Sequence, residues 1–319
     1  MPKVVLLTTG GTIASKPNER GMLASGEITG EELAEICNLP GDIEVQVESV
    51  FQLPSMHIGF MELLILKAKI EEVLADQSVD GVVVTHGTDS MEETAYFLDL
   101  TIDDERTVVL TGSQRSLSDL SNDVYINIRH AIYTACSADL RGSGAVVVFN
   151  ERIFSARYVK KVHASNIQGF HSFGFGYFGI IDNDCVSIYQ KPINRDIFKI
   201  TKTIPAVDII KCYADADSKF VYAAIQAGSK GIILEGVGRG QVAPKMMEGI
   251  EEAVRQGIHI VITTSAEEGR VHTTYDYLGS AYDLYSKGVI LGKDYDSKKA
   301  RIRLAVMLAS NVEDIKSAF

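Results

Sequence analysis

The chain has 319 residues, of which 46% are apolar and 23% are charged, with a net charge of −11. These proportions are typical of a folded globular protein and exclude disordered and fibrous classes. The acidic balance argues against nucleic acid and acidic membrane surfaces as partners, because both require a basic field on the protein.

The N-terminal run MPKVVLLT contains one positive charge and only a short apolar stretch. A signal peptide and a membrane span both need a longer apolar segment. We therefore expect a cytoplasmic protein that does not enter a membrane.

Short β-branched runs alternate with amphipathic segments from the N-terminus onward. The runs lack alternating polarity, as in strands buried on both faces, and occupy residues 3–8, 81–85, 107–111 and 145–149. Segments 60–75 and 121–138 have apolar residues at helical spacing. This order predicts a doubly wound α/β sheet, since connections between parallel strands are right-handed crossovers.

A segment with mixed charges and no clear periodicity, residues 191–206, contains two prolines and is predicted to be a linker. It would separate an N-terminal domain, residues 1–190, from a smaller domain, residues 207–319. The smaller domain repeats the same pattern, with elements predicted at residues 231–236 (strand), 243–256 (helix) and 259–264 (strand). The predicted fold class is therefore α/β, with a mostly parallel sheet in the first domain and a second, smaller α/β domain.

No pattern in the sequence indicates a metal or another cofactor. The seven histidines do not fall in HExxH or another ligand spacing. The cluster Gly236–Gly240 lacks the final glycine of a dinucleotide fingerprint, and no P-loop is present. The cysteines show no CxxC spacing and are expected to be reduced, buried thiols: Cys37, Cys136, Cys185 and Cys212.

Two predicted strands end in a glycine followed by a threonine. Thr12 follows Gly10 and Gly11 after the first strand, and Thr88 follows Gly87 after the strand at 81–85. Ligands of open α/β sheets bind at the carboxyl ends of the strands, where glycine lets the backbone approach closely. The alternative is that either threonine only caps the next helix.

The segment after the first strand, residues 15–31, is polar and rich in glycine. Its composition predicts a mobile loop, which is either an ordinary surface loop or a lid. Its position next to Thr12 favours a lid over the ligand site.

Two segments, TTGGTIAS at 8–15 and THGTDSMEETA at 85–95, resemble the two signature segments of the bacterial-type asparaginase and glutaminase family. They occur in the family's order and at its usual separation. The similarity continues through further segments to the C-terminus, among them VVLTGSQR, ARYVKK, GVGRGQV and KKARIRLAVMLA.

The resemblance implies a catalytic set of four residues. Thr12 matches the family's nucleophile, while Thr88, Asp89 and Lys161 match its second threonine, acidic residue and lysine. The implied reaction releases ammonia from the side-chain amide of L-asparagine or a close relative through an acyl-enzyme. No cofactor is implied.

The resemblance also implies contacts with the substrate. Ser55 matches a serine that holds the α-carboxylate, and Gly11 and Gly87 match backbone positions around the substrate. Thr88 belongs to this lining too, and Asp89 resembles the residue that grips the α-amino group. Gln241 falls where the family often has an asparagine supplied by a partner subunit, so a homodimer or homotetramer is expected.

Amide hydrolysis requires a nucleophile, a proton for the leaving amine and donors for the oxyanion. A free lysine amine would be a suitable base, but a neighbouring carboxylate stabilises the ammonium form of a lysine. Lys161 beside Asp89 therefore acts either as a base or as a charged group on Thr88. Which threonine attacks in which step stays open at this point, and we favour an acyl-enzyme on Thr12.

One departure concerns the lid, where the family usually has a tyrosine and this chain has Met22. A thioether cannot donate a hydrogen bond to Thr12. This predicts poor turnover of plain L-asparagine unless another phenol reaches Thr12, with Tyr158 and Tyr275 as candidates. Two other functions stay open: an ammonia-supplying amidotransferase subunit, and an amino-acid-binding protein without turnover.

Overall fold

The computed structural model describes residues 1–18, 20, 22–24, 28, 32 and 41–319. The chain divides into two compact units, Met1–Ile197 and Phe198–Phe319, which are described separately. Among the described residues, no helix has the length and apolar character needed to cross a membrane. The prediction for Cys37 lies outside the described residues.

The first unit contains, among its described residues, one long sheet and two short strand pairs. Its described strands are β1 (Lys3–Thr8), β2 (Lys16–Pro17), β3 (Leu23–Ala24), β4 (Glu44–Ser49), β5 (Gly81–Thr85), β6 (Val108–Thr111), β7 (Ala145–Phe149), β8 (Arg152–Ser155), β9 (Lys160–Lys161), β10 (Phe170–His171), β11 (Gly179–Asp182) and β12 (Cys185–Ile188). Its described helices of more than one turn are α1 (Phe60–Leu74), α2 (Met91–Thr101) and α3 (Val124–Ala135).

Eight of these strands form one sheet in the order β12-β11-β8-β7-β6-β5-β1-β4. The five strands from β4 to β7 are parallel, and β8, β11 and β12 continue the sheet antiparallel. Val83, Val109 and Val146 pack with α3 in one buried cluster. Alternate residues of the same strands point to the opposite face, where α1 contacts β5 and α2 contacts β6 and β7. The sheet is therefore doubly wound, as predicted.

The buried parallel strands and the helices α1 and α3 were located well from the sequence, whereas α2 and the edge strands were not predicted. Strand β4 was missed because its residues alternate between exposed and half-buried, as at an edge. The antiparallel strands β8, β11 and β12 were also missed, since each includes half-buried or exposed residues and lacks the continuous burial of the central strands. Cys185 was expected to be buried, but it begins the edge strand β12 and is exposed.

Only part of the predicted mobile loop at 15–31 is described. Residues Lys16–Pro17 and Leu23–Ala24 pair as an antiparallel hairpin. The Asn18 side chain accepts hydrogen bonds from the backbone N–H groups of Arg20 and Met22, at 2.9 and 3.1 Å. In the described part of this segment, two short strands thus pair, and the Asn18 side chain binds the backbone of Arg20 and Met22.

The second unit contains a smaller parallel sheet in the order β13-β14-β15-β16. Its strands are β13 (Val207–Lys211), β14 (Gly231–Gly236), β15 (His259–Thr264) and β16 (Ile290–Leu291). Its helices are α4 (Lys219–Gln226), α5 (Met247–Arg255), α6 (Ala281–Ser286), α7 (Ser297–Leu308) and α8 (Ile315–Ala318). Strands β14 and β15 agree with the predicted strands, and α5 follows a 3-10 turn within the predicted helix.

Candidate active site

The carboxyl end of β1 turns through two glycines with left-handed backbone conformations, φ of 98° at Gly10 and 85° at Gly11. Side chains other than glycine rarely adopt such values. The turn leads into a single 3-10 turn, Thr12–Ala14, where the Ser15 hydroxyl donates to the Gly11 carbonyl at 2.8 Å. Thr12 is thus presented directly after the strand on a tightly held turn.

The loops after β1 and β5 touch through their glycines. A Cβ added to Gly11 would lie 2.5 Å from the Cα and N atoms of Gly87. A Cβ added to Gly87 would lie 2.9 Å from the side chain of Ser55. These positions therefore need glycine because of close approach, and the structure brings together three of the predicted site residues, Gly11, Gly87 and Ser55.

Thr88, Asp89 and Lys161 form a connected polar set. The Lys161 ammonium donates to the Thr88 hydroxyl at 2.8 Å and to Asp89 Oδ1 at 2.7 Å. Thr88 is buried, whereas the Asp89 side chain is 66% exposed and that of Lys161 is 13% exposed. The lysine thus links a buried hydroxyl to a carboxylate that faces solvent.

A buried carboxylate that the sequence did not single out holds the backbone of Lys161. Lys161 lies on β9, which pairs with β10 outside the large sheet. Its backbone N–H donates to Glu92 Oε2 at 2.7 Å. Glu92 lies in the first turn of α2 and is only 1% exposed. This bond fixes the lysine's backbone to the helix that follows Thr88.

Gln114 is a second residue that sequence reasoning missed. Its Oε1 accepts a hydrogen bond from the Thr88 hydroxyl at 3.3 Å, and its Nε2 donates to the His163 carbonyl at 3.1 Å. The Asp123 carboxylate accepts the backbone N–H groups of Gln114 and Arg115, both at 3.0 Å. The sequence offered two signals for it, its position two residues after a strand-end glycine and its place in the family-like segment VVLTGSQR.

His86 supports the loop that follows β5. It is fully buried, and its ring nitrogens contact the Gly87 carbonyl at 2.7 Å and the Thr94 hydroxyl at 3.0 Å. Burial lowers the pKa of His86 to about 4, against the opposing effect of the Gly87 carbonyl. The imidazole is therefore neutral at pH 7 and ties the end of β5 to α2.

Three further predicted residues are an exposed methionine, a tyrosine in a ring stack and a glutamine of the second unit. Met22 is 67% exposed, and the Tyr158 ring stacks on Phe175 with centroids 3.4 Å apart. Gln241 belongs to the second unit, in a tight turn closed by hydrogen bonds with Val237. Its Oε1 is buried without a hydrogen-bond partner among the described residues.

Metal ligation is not suggested by the part of the chain that the structure describes. No group of three or more His, Cys, Asp or Glu side chains is placed there to hold an ion. The chemistry available at the strand ends comes from two hydroxyls, an ammonium and carboxylates.

An open α/β sheet with two threonines and a Lys–Asp pair at the carboxyl ends of its strands is the arrangement of a hydrolase with a hydroxyl nucleophile. Residues 3–194 match the family described as "Asparaginase, N-terminal", and residues 206–319 match "Glutaminase/Asparaginase C-terminal domain". The chain belongs to the asparaginase family.

Individual relatives extend over nearly the whole chain. An L-asparaginase of Bacillus licheniformis is 66% identical, with 99% of this chain and 98% of the relative covered. L-asparaginase 2 of Bacillus subtilis is 34% identical, with 97% and 83% covered. The crystal structure of a probable cytoplasmic L-asparaginase from Campylobacter jejuni superposes with a TM-score of 0.89 at 30% identity, covering 99% of this chain and 98% of that chain.

Proposed function

We propose that the protein hydrolyses the side-chain amide of L-asparagine to aspartate and ammonia. The observation that carries the proposal is the hydrogen-bonded set of Lys161, Thr88 and Asp89 at the strand ends, next to the touching glycines that precede Thr12 and Thr88. The 66% identity to an L-asparaginase over nearly the full chain supports the choice of amide.

In the proposed first step, Thr12 Oγ1 attacks the amide carbon and the C–N bond breaks. The hydroxyl proton leaves with the nitrogen, which departs as ammonia. Water then attacks the threonine ester, and the second step restores the hydroxyl and releases aspartate. Each step passes through an oxyanion that needs hydrogen-bond donors.

The ion pair of Lys161 bears on the alternative roles of the lysine. The Lys161 ammonium is already bound to Asp89 and donates to Thr88. These two bonds support an electrostatic role for the lysine better than the role of a free base. Asp89 lies at the solvent-exposed end of this hydrogen-bonded set, where its carboxylate is available to a substrate α-ammonium group. Ser55, Gly11 and Gly87 are proposed to line the remainder of the substrate site.

The proposal includes a cytoplasmic homo-oligomer in which Gln241 completes a neighbour's site. Within the described part of the chain no donor reaches the buried Oε1 of Gln241, and this supports the proposal because a buried amide oxygen without a donor is costly. A partner chain would supply that donor or a bound substrate.

The test is ammonia release from L-asparagine, D-asparagine, L-glutamine and an N-substituted asparagine, with Thr12→Ala and Thr12→Ser as paired variants. We expect release from L-asparagine that is lost in the alanine variant and partly kept in the serine variant. Binding of asparagine without any ammonia release would contradict the proposal and indicate a binding protein.

A further inference from the structure

The side chain of Gln114 links the catalytic set to a backbone carbonyl. It contacts Thr88 through one end of its amide and His163 through the other. A backbone carbonyl only accepts hydrogen bonds, so the NH2 group must face His163. The amide oxygen therefore faces Thr88.

This assignment fixes the direction of the neighbouring hydrogen bonds. The Gln114 oxygen cannot donate, so the Thr88 hydroxyl points its proton toward it. The Thr88 oxygen then presents its lone pairs to the Lys161 ammonium at 2.8 Å. A chain of donors runs in one direction, from Lys161 through Thr88 and Gln114 to the His163 carbonyl.

We propose that Gln114 is a positioning residue, which holds the Thr88 hydroxyl with its oxygen toward Lys161; this inference rests on the proposed amidohydrolase function. The 3.3 Å separation of Thr88 from Gln114 is long for a hydroxyl donor. Such catalytic hydrogen bonds commonly shorten when substrate binds. Gln114 acts on the reaction through Thr88 and does not itself touch the reacting atoms.

Gly169 provides a second way to move Gln114. A Cβ added to Gly169 would lie 2.1 Å from Gln114 Nε2, and its next contact, the Asn166 carbonyl, would be 3.0 Å away. No left-handed φ is required at Gly169. An alanine there would therefore displace the glutamine amide while leaving the Gln114 residue itself unchanged.

The experiment is a double-mutant cycle with Gln114→Ala and Gly169→Ala, using Gln168→Ala as the control because that side chain is exposed in the same loop. Gln114→Ala and Gly169→Ala are each expected to lower kcat for L-asparagine by about 10- to 100-fold with KM changed less than about threefold, as for one lost hydrogen bond. The control Gln168→Ala is expected to keep the wild-type kcat. The backbone bonds from Asp123 to the Gln114 loop do not depend on the side chain, so the fold is retained.

The cycle separates positioning from general damage. Gly169→Ala is expected to have no further effect once Gln114 is alanine, because no amide is left to displace. Additive losses, or a change in KM with kcat unaltered, would overturn the inference. If wild type releases ammonia and Gln114→Ala keeps its kcat, the inference fails while the proposed function stands.

A crystal structure of the Gly169→Ala variant tests the inference without turnover, so it remains decisive even if wild type releases no ammonia. We expect Gln114 to leave Thr88 and the contact between Lys161 and Thr88 to lengthen. An unchanged Lys161–Thr88 contact after displacement of Gln114 would refute the positioning role.

Discussion

At the scale of single residues, Lys161 is the only described cation that contacts both Thr88 and Asp89. The Thr88 hydroxyl is buried and accepts a hydrogen bond from the ammonium. Water therefore cannot take the place of either side chain unless the neighbouring groups move. Removing either partner takes one hydrogen bond from the other, while Thr88 keeps its bond to Gln114 and Lys161 keeps its bond to Asp89. Such a loss affects the rate more than the packing.

We predict that Thr88→Ala and Lys161→Met each lower kcat by about 10³-fold or more, because they remove a group that acts on the reacting atoms. Circular dichroism and thermal unfolding should show a retained fold. Lys160→Met is the matched control, since it removes the neighbouring lysine of the same short strand. Near wild-type rates in either active-site variant would remove this set from the mechanism.

A second prediction concerns Met22, which is exposed and whose thioether cannot donate to Thr12. Met22→Tyr is expected to raise kcat for L-asparagine, up to the roughly 10²-fold that one oriented catalytic hydrogen bond contributes. Tyr158→Phe and Tyr275→Phe, measured alongside, test whether another phenol already serves Thr12. An unchanged rate in all three variants would refute the lid argument.

The sequence predicted the site only as far as local pattern and resemblance reach. Thr12 and Thr88 were singled out because parallel strands end at one edge of a sheet, and a glycine there exposes the next residue. Lys161 was assigned by resemblance alone, since it contacts a residue 73 positions away. Glu92 and Gln114 were missed because their roles depend on contacts 69 and 26 residues apart in the chain.

At the scale of elements, the strands with unbroken β-branched runs were predictable because burial on both faces leaves a strong composition signal. The edge strands have half-exposed residues and weaker signals, so tertiary pairing determines them. What the sequence could not show is how closely two strand-end loops approach. That distance depends on packing between segments 76 residues apart, Gly11 and Gly87.

The contact between these loops predicts a difference between two glycines with similar φ angles. A Cβ on Gly11, which has φ of 85°, would meet Gly87, whereas a Cβ on Gly142, which has φ of 77°, would have no atom of the described residues within 4 Å apart from its chain neighbours. Gly142→Ala should therefore cost only the strain of a left-handed residue, about 1 kcal/mol, and leave kcat unchanged. Gly11→Ala should destabilise by about 1–3 kcal/mol more and abolish most activity. Urea unfolding and ammonia release measure both effects, and equal costs in the two variants would contradict this account.

His86 ties β5 to α2, and its protonation should affect the stability of that junction. Burial lowers the pKa of His86 from 6.5 to about 4, so the unfolded chain binds its proton more readily than the folded chain. The stabilisation is complete above pH 6.5 and is lost as the pH falls toward 4. Between pH 7.5 and 5 the loss is about 2 kcal/mol.

The measurement is the free energy of unfolding at both pH values in wild type and His86→Gln. The variant should lose about 2 kcal/mol less than wild type over this interval. His130, whose pKa is also lowered by burial, contributes equally in both proteins. Identical pH dependence in wild type and variant would show that His86 does not titrate as described.

At the scale of the whole molecule, the proposed sharing of sites between subunits makes a prediction for mixed oligomers. If Gln241 serves a neighbour's site, each site combines Thr88 from one chain with Gln241 from the other. The variants Thr88→Ala and Gln241→Ala then damage different halves of a site. Hybrid dimers then contain one intact site, so co-expression should restore about a quarter of wild-type activity. Each variant alone should be weakly active.

The matched control pairs Thr88→Ala with Lys161→Met, which belong to the same set in one chain. Every site in that hybrid carries a defect, so no activity should return. Two different affinity tags, one on each chain, verify that hybrids form in both mixtures, because only hybrids are retained in both purifications. Activity that never exceeds the mean of the separate variants would argue against shared sites.

The contact between Gly11 and Gly87 also restricts how such a protein can diverge. A side chain added at Gly11 meets backbone atoms of Gly87, and one added at Gly87 meets Ser55. A methyl that collides with backbone cannot be accommodated by shrinking the opposing residue, because glycine has no side chain to give up. Unlike a core pair, where a larger residue on one side can be matched by a smaller one on the other, Gly11 has no compensating route, because its clash is with backbone; the clash at Gly87 is with the side chain of Ser55. We expect a library randomised at both positions and selected for growth on asparagine as the sole nitrogen source to return glycine at both, while Ser55 accepts alanine at reduced fitness.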